Sequence, residues 1–281
     1  MAVLRTAVSS LALFDEEAND MSREANLRKA IRLQAQIPTI IAAFARLRTG
    51  ESAVSPKEGA SIAENFLYML NGEQPDLIAV EALDKALVLH ADHELNASTF
   101  AGRVTVATLS DIYSGITSAI GALKGPLHGG ANEGVMNMLE EIGELDQIDA
   151  YVRQKLANKE KMMGFGHRVY KNGDPRAKHL QRMSRELGKL TGNLKWYEMS
   201  VRIEGLMFSL KGLRPNVDFY SASVYTTLGI PRDLFTPIFA ISRCSGWAAH
   251  ILEQYNNNRI IRPRAEYVGE SDQKYIPVEL R

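Results

Sequence analysis

Apolar residues recur at three- and four-residue spacing along most of this chain, and they form no alternating runs of strand length. No Asn-Gly pair stands between two such runs, so hairpin signals are missing too. Helix packed on helix is the architecture left, and the expected fold is all-α. "ANLRKAIRLQAQIPTIIAAFARLRTG" reads as two helical stretches around Pro38, closed by Gly50, because an interior proline removes a backbone donor and crowds the preceding turn. "SIAENFLYMLNG" is a short helix with Gly72 just past its end, and "PDLIAVEALDKALVLHADHEL" opens on Pro75 and runs into histidines. The small residues of "SDIYSGITSAIGALKGP" would let two helices approach closely. In "DPRAKHLQRMSRELGKL" Asp174 is the expected N-cap and Pro175 the first helical residue, with Leu180, Met183 and Leu187 on the apolar face. "DLFTPIFAISRCSGWAAHILEQY" is a long, mostly apolar helix with Arg243 embedded in it. Leu4, Val8, Leu11 and Ala12 make a helical face that begins almost at Met1, with no Ser, Thr, Asp or Asn before it as a cap.

A length of 281 residues suits one large domain or two unequal ones. Lys and Arg number 33, as do Asp and Glu, so no charge excess points to nucleic acid or an anionic membrane. No apolar run reaches the roughly 18 to 20 residues that cross a bilayer. The start "MAVLRTAVSSLALFDEE" lacks a small-residue cleavage pattern and reads as a helix, not a signal peptide. A single cysteine, Cys244, excludes an intramolecular disulfide and agrees with a reducing, cytoplasmic setting. Gly and Pro are densest at 124–134, 164–175 and 211–221, and the outer two clusters could be hinges around a small inserted domain.

The middle cluster, "GFGHRVYKNGDP", resembles a phosphate cradle only in part. It lacks the third glycine of a dinucleotide fingerprint, follows no strand, and has no glycine-lysine pair of the P-loop kind. In "LHADHE", His90 and His93 share a helical face, but without an HExxH pattern or a cysteine ligand they read as hydrogen-bonded helix-end histidines, and no metal is expected. Three separated elements carry more. "GPLHGGAN" sets His128 near a probable helix N-terminus, whose positive end would keep the ring neutral. "GFGHR" puts His167 on a loop. "RPNVDFYS" surrounds Asp218 with apolar neighbours, a setting that raises a carboxylic pKa toward that of a general base. Taken singly, each has a plain alternative: a buried capping histidine, a solvent-facing loop residue, an N-cap. His179 and His250, on helices without special flanks, read as structural.

Together, two histidines, a carboxylate and the embedded Arg176, Arg243 and Arg262 suggest one chemistry. A base removes a proton beside a carbonyl, a neutral donor holds the developing enolate, and a second donor polarises the carbonyl that is attacked. Arginine forks hold substrate carboxylates. These roles fit a carbon–carbon condensation between an acyl thioester and a keto acid.

The motifs "LHADHELNAST", "GPLHGGANEGVMNML", "MGFGHRVYKNGDPRAKHL", "PNVDFYSASVYTTLGI" and "FAISRCSGWAAHILEQYNNNRIIRPRAEYVG" closely resemble citrate synthase, of the shorter bacterial and archaeal type, and the resemblance covers essentially the whole chain. It implies a large helical domain, 1–126 and 223–281, with an inserted small helical domain, 127–222, that closes over oxaloacetate before the thioester reacts. It implies that Asp218 takes a methyl proton from acetyl-CoA, that His128 donates to the thioester oxygen, and that His167 polarises the keto group. His93, Arg176, Arg243 and, from the second subunit of a homodimer, Arg262 would hold oxaloacetate. Coenzyme A, a substrate in thioester form and not a cofactor, would meet Met163, Gly164, Phe165, Gly166, Lys171 and Asn216. The same resemblance leaves 2-methylcitrate synthase, acting on propionyl-CoA, as the neighbouring activity. Family members normally carry about a further quarter of chain before the segment that aligns with Met1. A truncation, an internal start, a split subunit or a catalytically silent remnant would each account for that.

Overall fold

The computed structural model describes residues 1–167, 169–170 and 172–281. Among them are twelve α-helices and no strand. The first six are α1 (Ala2–Leu11), α2 (Arg23–Leu47), α3 (Ile62–Asn71), α4 (Leu77–His90), α5 (Ala97–Val106) and α6 (Ile112–Leu123). The others are α7 (Ala131–Ile142), α8 (Ile148–Ala157), α9 (Ala177–Leu190), α10 (Lys195–Lys211), α11 (Val217–Thr227) and α12 (Phe235–Asn256).

α12 is the hub of the first group. Its apolar residues, from Phe235 through Ile238, Ile241 and Trp247 to Ile251, are buried, and α2, α4, α5 and α6 pack against it. α5 and α6 pair at close range, as their small residues imply. A Cβ on Gly115 would stand 2.6 Å from Val106 Cγ1 and 2.9 Å from Ile251 Cδ1, well inside van der Waals contact. The second group is α7 to α11, in which α11 lies against α7, α9 and α10. α4 joins the groups by packing on both α9 and α11. α11 continues to Thr227, past residue 222, and the chain returns toward α12 through a turn at Gly229, φ 72°.

Two local expectations are corrected. α2 runs unbroken through Pro38, which is itself buried. Leu33 and Ile37 before it, and Ile41, Ala42 and Ala45 after it, are all buried, and the Gln34 amide donates to Ile241 O of α12 at 2.9 Å. Burial of that many side chains, at about 1.5–3 kcal/mol for each large one, outweighs the ~3 kcal/mol cost of an interior proline. α9 begins at Ala177, not at Pro175. Asp174 still accepts the Arg176 N–H at 3.0 Å, so it caps the turn that leads into the helix. The remaining punctuation stands as expected, with Gly72 left-handed at the end of α3 and Gly50 left-handed beyond α2.

Beyond α12 the chain runs exposed from 257 to the end, apart from half-buried Ile261, and carries one short turn of helix at Val278–Leu280.

Candidate active site

A cavity of about 580 Å³ opens where the two helix groups meet. His93, Phe239 and Arg243 line it from the first group, with the 94–97 turn; Leu127 and His128 enter from the turn before α7; and His167, Arg176, Val217 and Asp218 come from the second. Six of the predicted site residues, widely separated in sequence, thus share one space.

The two histidines are held in opposite tautomers. His128 Nε2 lies 3.2 Å from the Ser98 N–H and 2.8 Å from Ser98 Oγ. A backbone N–H can only donate, so Nε2 accepts, and the proton of the neutral ring sits on Nδ1. Ser98 lies in the first turn of α5 and its hydroxyl is fixed by Trp247 Nε1 at 3.0 Å. The helix end that donates to this imidazole is therefore that of α5. His167 shows the reverse. Its Nδ1 accepts from the Val169 N–H at 3.0 Å and the Tyr170 N–H at 3.2 Å, leaving the proton on Nε2. Burial depresses the pKa of both rings, aided by Arg243 at His128 and by His93 at His167. Both are neutral donors near pH 7. His93 is depressed as well, by burial and then by Arg176 and Arg243, and its Nε2 has no partner among the described residues.

Asp218 sits in the first turn of α11, where Asn216 caps the helix by accepting the Asp218 N–H at 3.1 Å. Burial among Val217, Phe219 and the cavity wall raises its carboxyl to about 6, against the opposing pull of Arg176. Arg243, only 2% exposed, donates from Nε to His90 O at 2.7 Å and lies over the Phe239 ring at 4.7 Å. Desolvation lowers its pKa to about 10, so it stays cationic at neutral pH. Arg176 is less free than its sequence position suggests. Asp174, with a fully buried carboxylate, takes its Nε at 2.9 Å and Nη2 at 2.8 Å, and also accepts the Val217 N–H at 3.0 Å. Asp174 therefore aims the guanidinium and ties it to the start of α11. Neither this role nor that of Ser98 is among the sequence expectations. The Asp-Pro-Arg triplet was the available signal for the first. The second spans 30 residues and leaves no local mark.

Residues 1–264 match the family described as "Citrate synthase, C-terminal domain". Citrate synthase 2 of Bacillus subtilis is 69% identical over 281 residues, all of this chain and 76% of the relative. The chain belongs to the citrate synthase family. Among solved structures, citrate synthase from Pyrobaculum aerophilum superposes with a TM-score of 0.92 at 42% identity, covering 99% of this chain and 73% of that one. The enzyme from Thermoplasma acidophilum, solved as a ternary complex with carboxymethyl coenzyme A and oxaloacetate, gives 0.88 at 37% identity, over 100% and 75%. A 2-methylcitrate synthase of Mycobacterium tuberculosis is 44% identical over 277 residues, 99% of this chain and 70% of that one, so the citrate-forming reading is favoured. As a citrate synthase, the chain is an acyltransferase.

The citrate synthase loop at 162–167 lies beside this cavity and is built on backbone. Gly164, φ 79°, takes a conformation open to few side chains, and a Cβ there would stand 2.7 Å from both Phe219 and Val135. Phe165 is turned inward on Phe219, with ring centroids 4.7 Å apart, and Met163 packs against the core. Gly166 is exposed. Asn216 ties the loop down, donating from its backbone to Gly164 O at 2.8 Å and from its amide to Gly166 O at 3.0 Å. Lys171 lies outside the described residues. Arg262 is exposed on the tail and does not line the cavity. His90 is a core residue whose Nδ1 bonds Ala86 O at 2.7 Å, and among the described residues no three His, Cys, Asp or Glu side chains group as metal ligands would. No described helix is long and apolar enough to cross a membrane.

Proposed function

We propose that this chain condenses acetyl-CoA with oxaloacetate and water to give citrate and free coenzyme A, with the following division of labour. Asp218 removes a proton from the acetyl methyl group. A carboxyl with a pKa of about 6 is ionised at pH 7 yet basic enough to share a proton in the transition state. His128 donates from Nδ1 to the thioester oxygen as the enol forms, and His167 donates from Nε2 to the keto oxygen of oxaloacetate, drawing electrons from the carbon under attack. The new C–C bond turns that keto oxygen into a hydroxyl, and water then cleaves the thioester, releasing the thiol. Arg243, Arg176 and His93 hold oxaloacetate, Arg262 arrives from the partner of a homodimer, and the loop 163–166 with Lys171 and Asn216 receives coenzyme A. The single observation that carries this reading is that His128, His167 and Asp218 line one cavity, the first ring accepting a backbone N–H at Nε2 and the second at Nδ1.

The helix groups that flank the cavity support a large and a small domain that close on substrate, with the second junction in the turn after Thr227. The lone, buried cysteine supports a reducing, cytoplasmic setting.

The direct test is thiol release from acetyl-CoA with and without oxaloacetate. Release that requires both substrates supports the reading, and none under any condition would leave a binding remnant. Turnover of propionyl-CoA beyond that of acetyl-CoA would favour 2-methylcitrate synthase instead, a choice worth only about 1–3 kcal/mol of pocket fit. The histidines separate in a second experiment. His167→Gln should shift the carbonyl stretch of bound oxaloacetate toward its value in water. His128→Gln should leave that stretch in place and stop exchange of the methyl protons of an acetyl-CoA analogue. Identical spectra and identical exchange in both variants would disprove the division of labour.

A further inference from the structure

His250, which the sequence marks only as structural, faces the segment that carries His93. α12 grips that segment residue by residue along one face. Ser242 Oγ donates to Leu87 O, and Arg243 Nε donates to His90 O at 2.7 Å. One turn on, Gly246 lets the backbones meet: a Cβ there would lie 2.2 Å from Ala91 O and 3.0 Å from Asp92 Oδ1. One turn further, His250 Nε2 stands 3.2 Å from Asp92 Oδ1.

The far side of the ring sets its proton. His250 Nδ1 accepts from Arg103 Nη1 of α5 at 3.2 Å, which leaves the proton on Nε2, aimed at Asp92. Arg103 is held in turn by Gln254 Oε1 at 3.0 Å and Glu253 Oε2 at 2.5 Å. Asp92 uses its other oxygen to accept the Glu94 N–H at 3.2 Å. Glu94 has φ 51°, a left-handed conformation that a non-glycine residue holds only when its surroundings impose it. His93 lies between these two anchored residues and lines the cavity, its Nε2 without a partner among the described residues.

We infer that His250 and Asp92 act as a positioning pair, clamping the turn at 92–94 so that His93 is held ready for a keto-dicarboxylate. Neither residue lines the cavity, so both act through His93. The substrate readout of this inference rests on the proposed condensation; the structural readout does not.

The test uses the full chain with His250→Leu, His250→Gln, Asp92→Asn and the double variant His250→Leu/Asp92→Asn. Without ligand, His250→Leu should speed hydrogen–deuterium exchange at the Glu94 amide about tenfold, while exchange within α6 stays unchanged. In turnover, the oxaloacetate KM should rise about fivefold with the acetyl-CoA KM within about twofold. Gln can place an N–H donor near the position of Nε2, so His250→Gln should restore both quantities. Asp92→Asn should reproduce the Leu phenotype, and the double variant should be no worse than either single one. Unchanged exchange in His250→Leu overturns the inference. So does a parallel rise in both KM values, a failure of Gln to restore, or additive effects in the double variant. If His250→Leu does not fold, Asp92→Asn, which keeps the size of the side chain, decides by the same exchange measurement. An inactive parent chain would refute the condensation and leave the exchange result to judge the pair.

Discussion

Asp218→Asn is expected to lower turnover about a thousandfold while leaving oxaloacetate binding nearly unchanged. The amide keeps the size of the carboxyl but cannot accept the methyl proton. The same substitution should make the protein more stable near neutral pH. Asp218 is raised from 3.8 to about 6 by burial, so the folded state prefers the protonated acid more strongly than the unfolded chain does. That stabilising contribution is fully present below the unfolded pKa and is lost as pH rises through about 6. At pH 7 the ionised carboxylate therefore costs folding up to about 3 kcal/mol, from roughly two pKa units at 1.36 kcal/mol each. Asn carries no such cost. Its thermal midpoint should exceed that of the parent at pH 7.5, with the advantage shrinking as pH falls through about 6 and vanishing below the unfolded pKa. In the parent, kcat/KM for acetyl-CoA should climb through an apparent pKa near 6 and level off above it. Turnover within tenfold of the parent, or a thermal difference that does not vary with pH, would remove Asp218 from the role of base.

How far this site could be read in advance depended on the range of each interaction. Helix ends are local: Gly72 after α3 and the buried Leu180, Met183 and Leu187 of α9 follow from spacing and backbone preference. Arg243 was visible as a cation inside an apolar helix, where burial without a role would be costly. Pro38 misled because its cost is local while the packing that overrides it comes from α12, about 200 residues away. Asp174 reads from the sequence as a cap, which it partly is, but its clamp on Arg176 depends on the chain folding back at Pro175. Ser98 and the Asp92–His250 contact were not legible at all. Each joins residues separated by 30 to 158 positions through one polar atom, and neither residue type is unusual where it stands.

The second large effect is a recovery of activity, and charge balance in the cavity says why it should occur. Arg176 is largely committed to Asp174, and Arg243 stands near the ionised Asp218, so the two cations already face two carboxylates. A keto-dicarboxylate brings two more negative charges into a partly desolvated space, where each unpaired one is costly. Among the described residues the cavity lining offers no cation beyond Arg176 and Arg243, and the proposed reading takes a further one from Arg262. Arg262 lies on a tail that also exposes Ile260, Tyr267, Val268, Tyr275 and Ile276, apolar surface of the kind a second subunit covers. In a two-fold dimer each site would then combine Asp218 of one chain with Arg262 of the other. Arg262→Ala and Asp218→Asn chains, each nearly inactive alone, are mixed under conditions that exchange subunits. A mixed dimer has one site with both residues intact and one with both lesions. Random pairing makes half the dimers mixed, so activity should recover to about a quarter of the parent value. If Arg262 served its own chain, every site would keep one lesion, and verified exchange without recovery would refute the shared site.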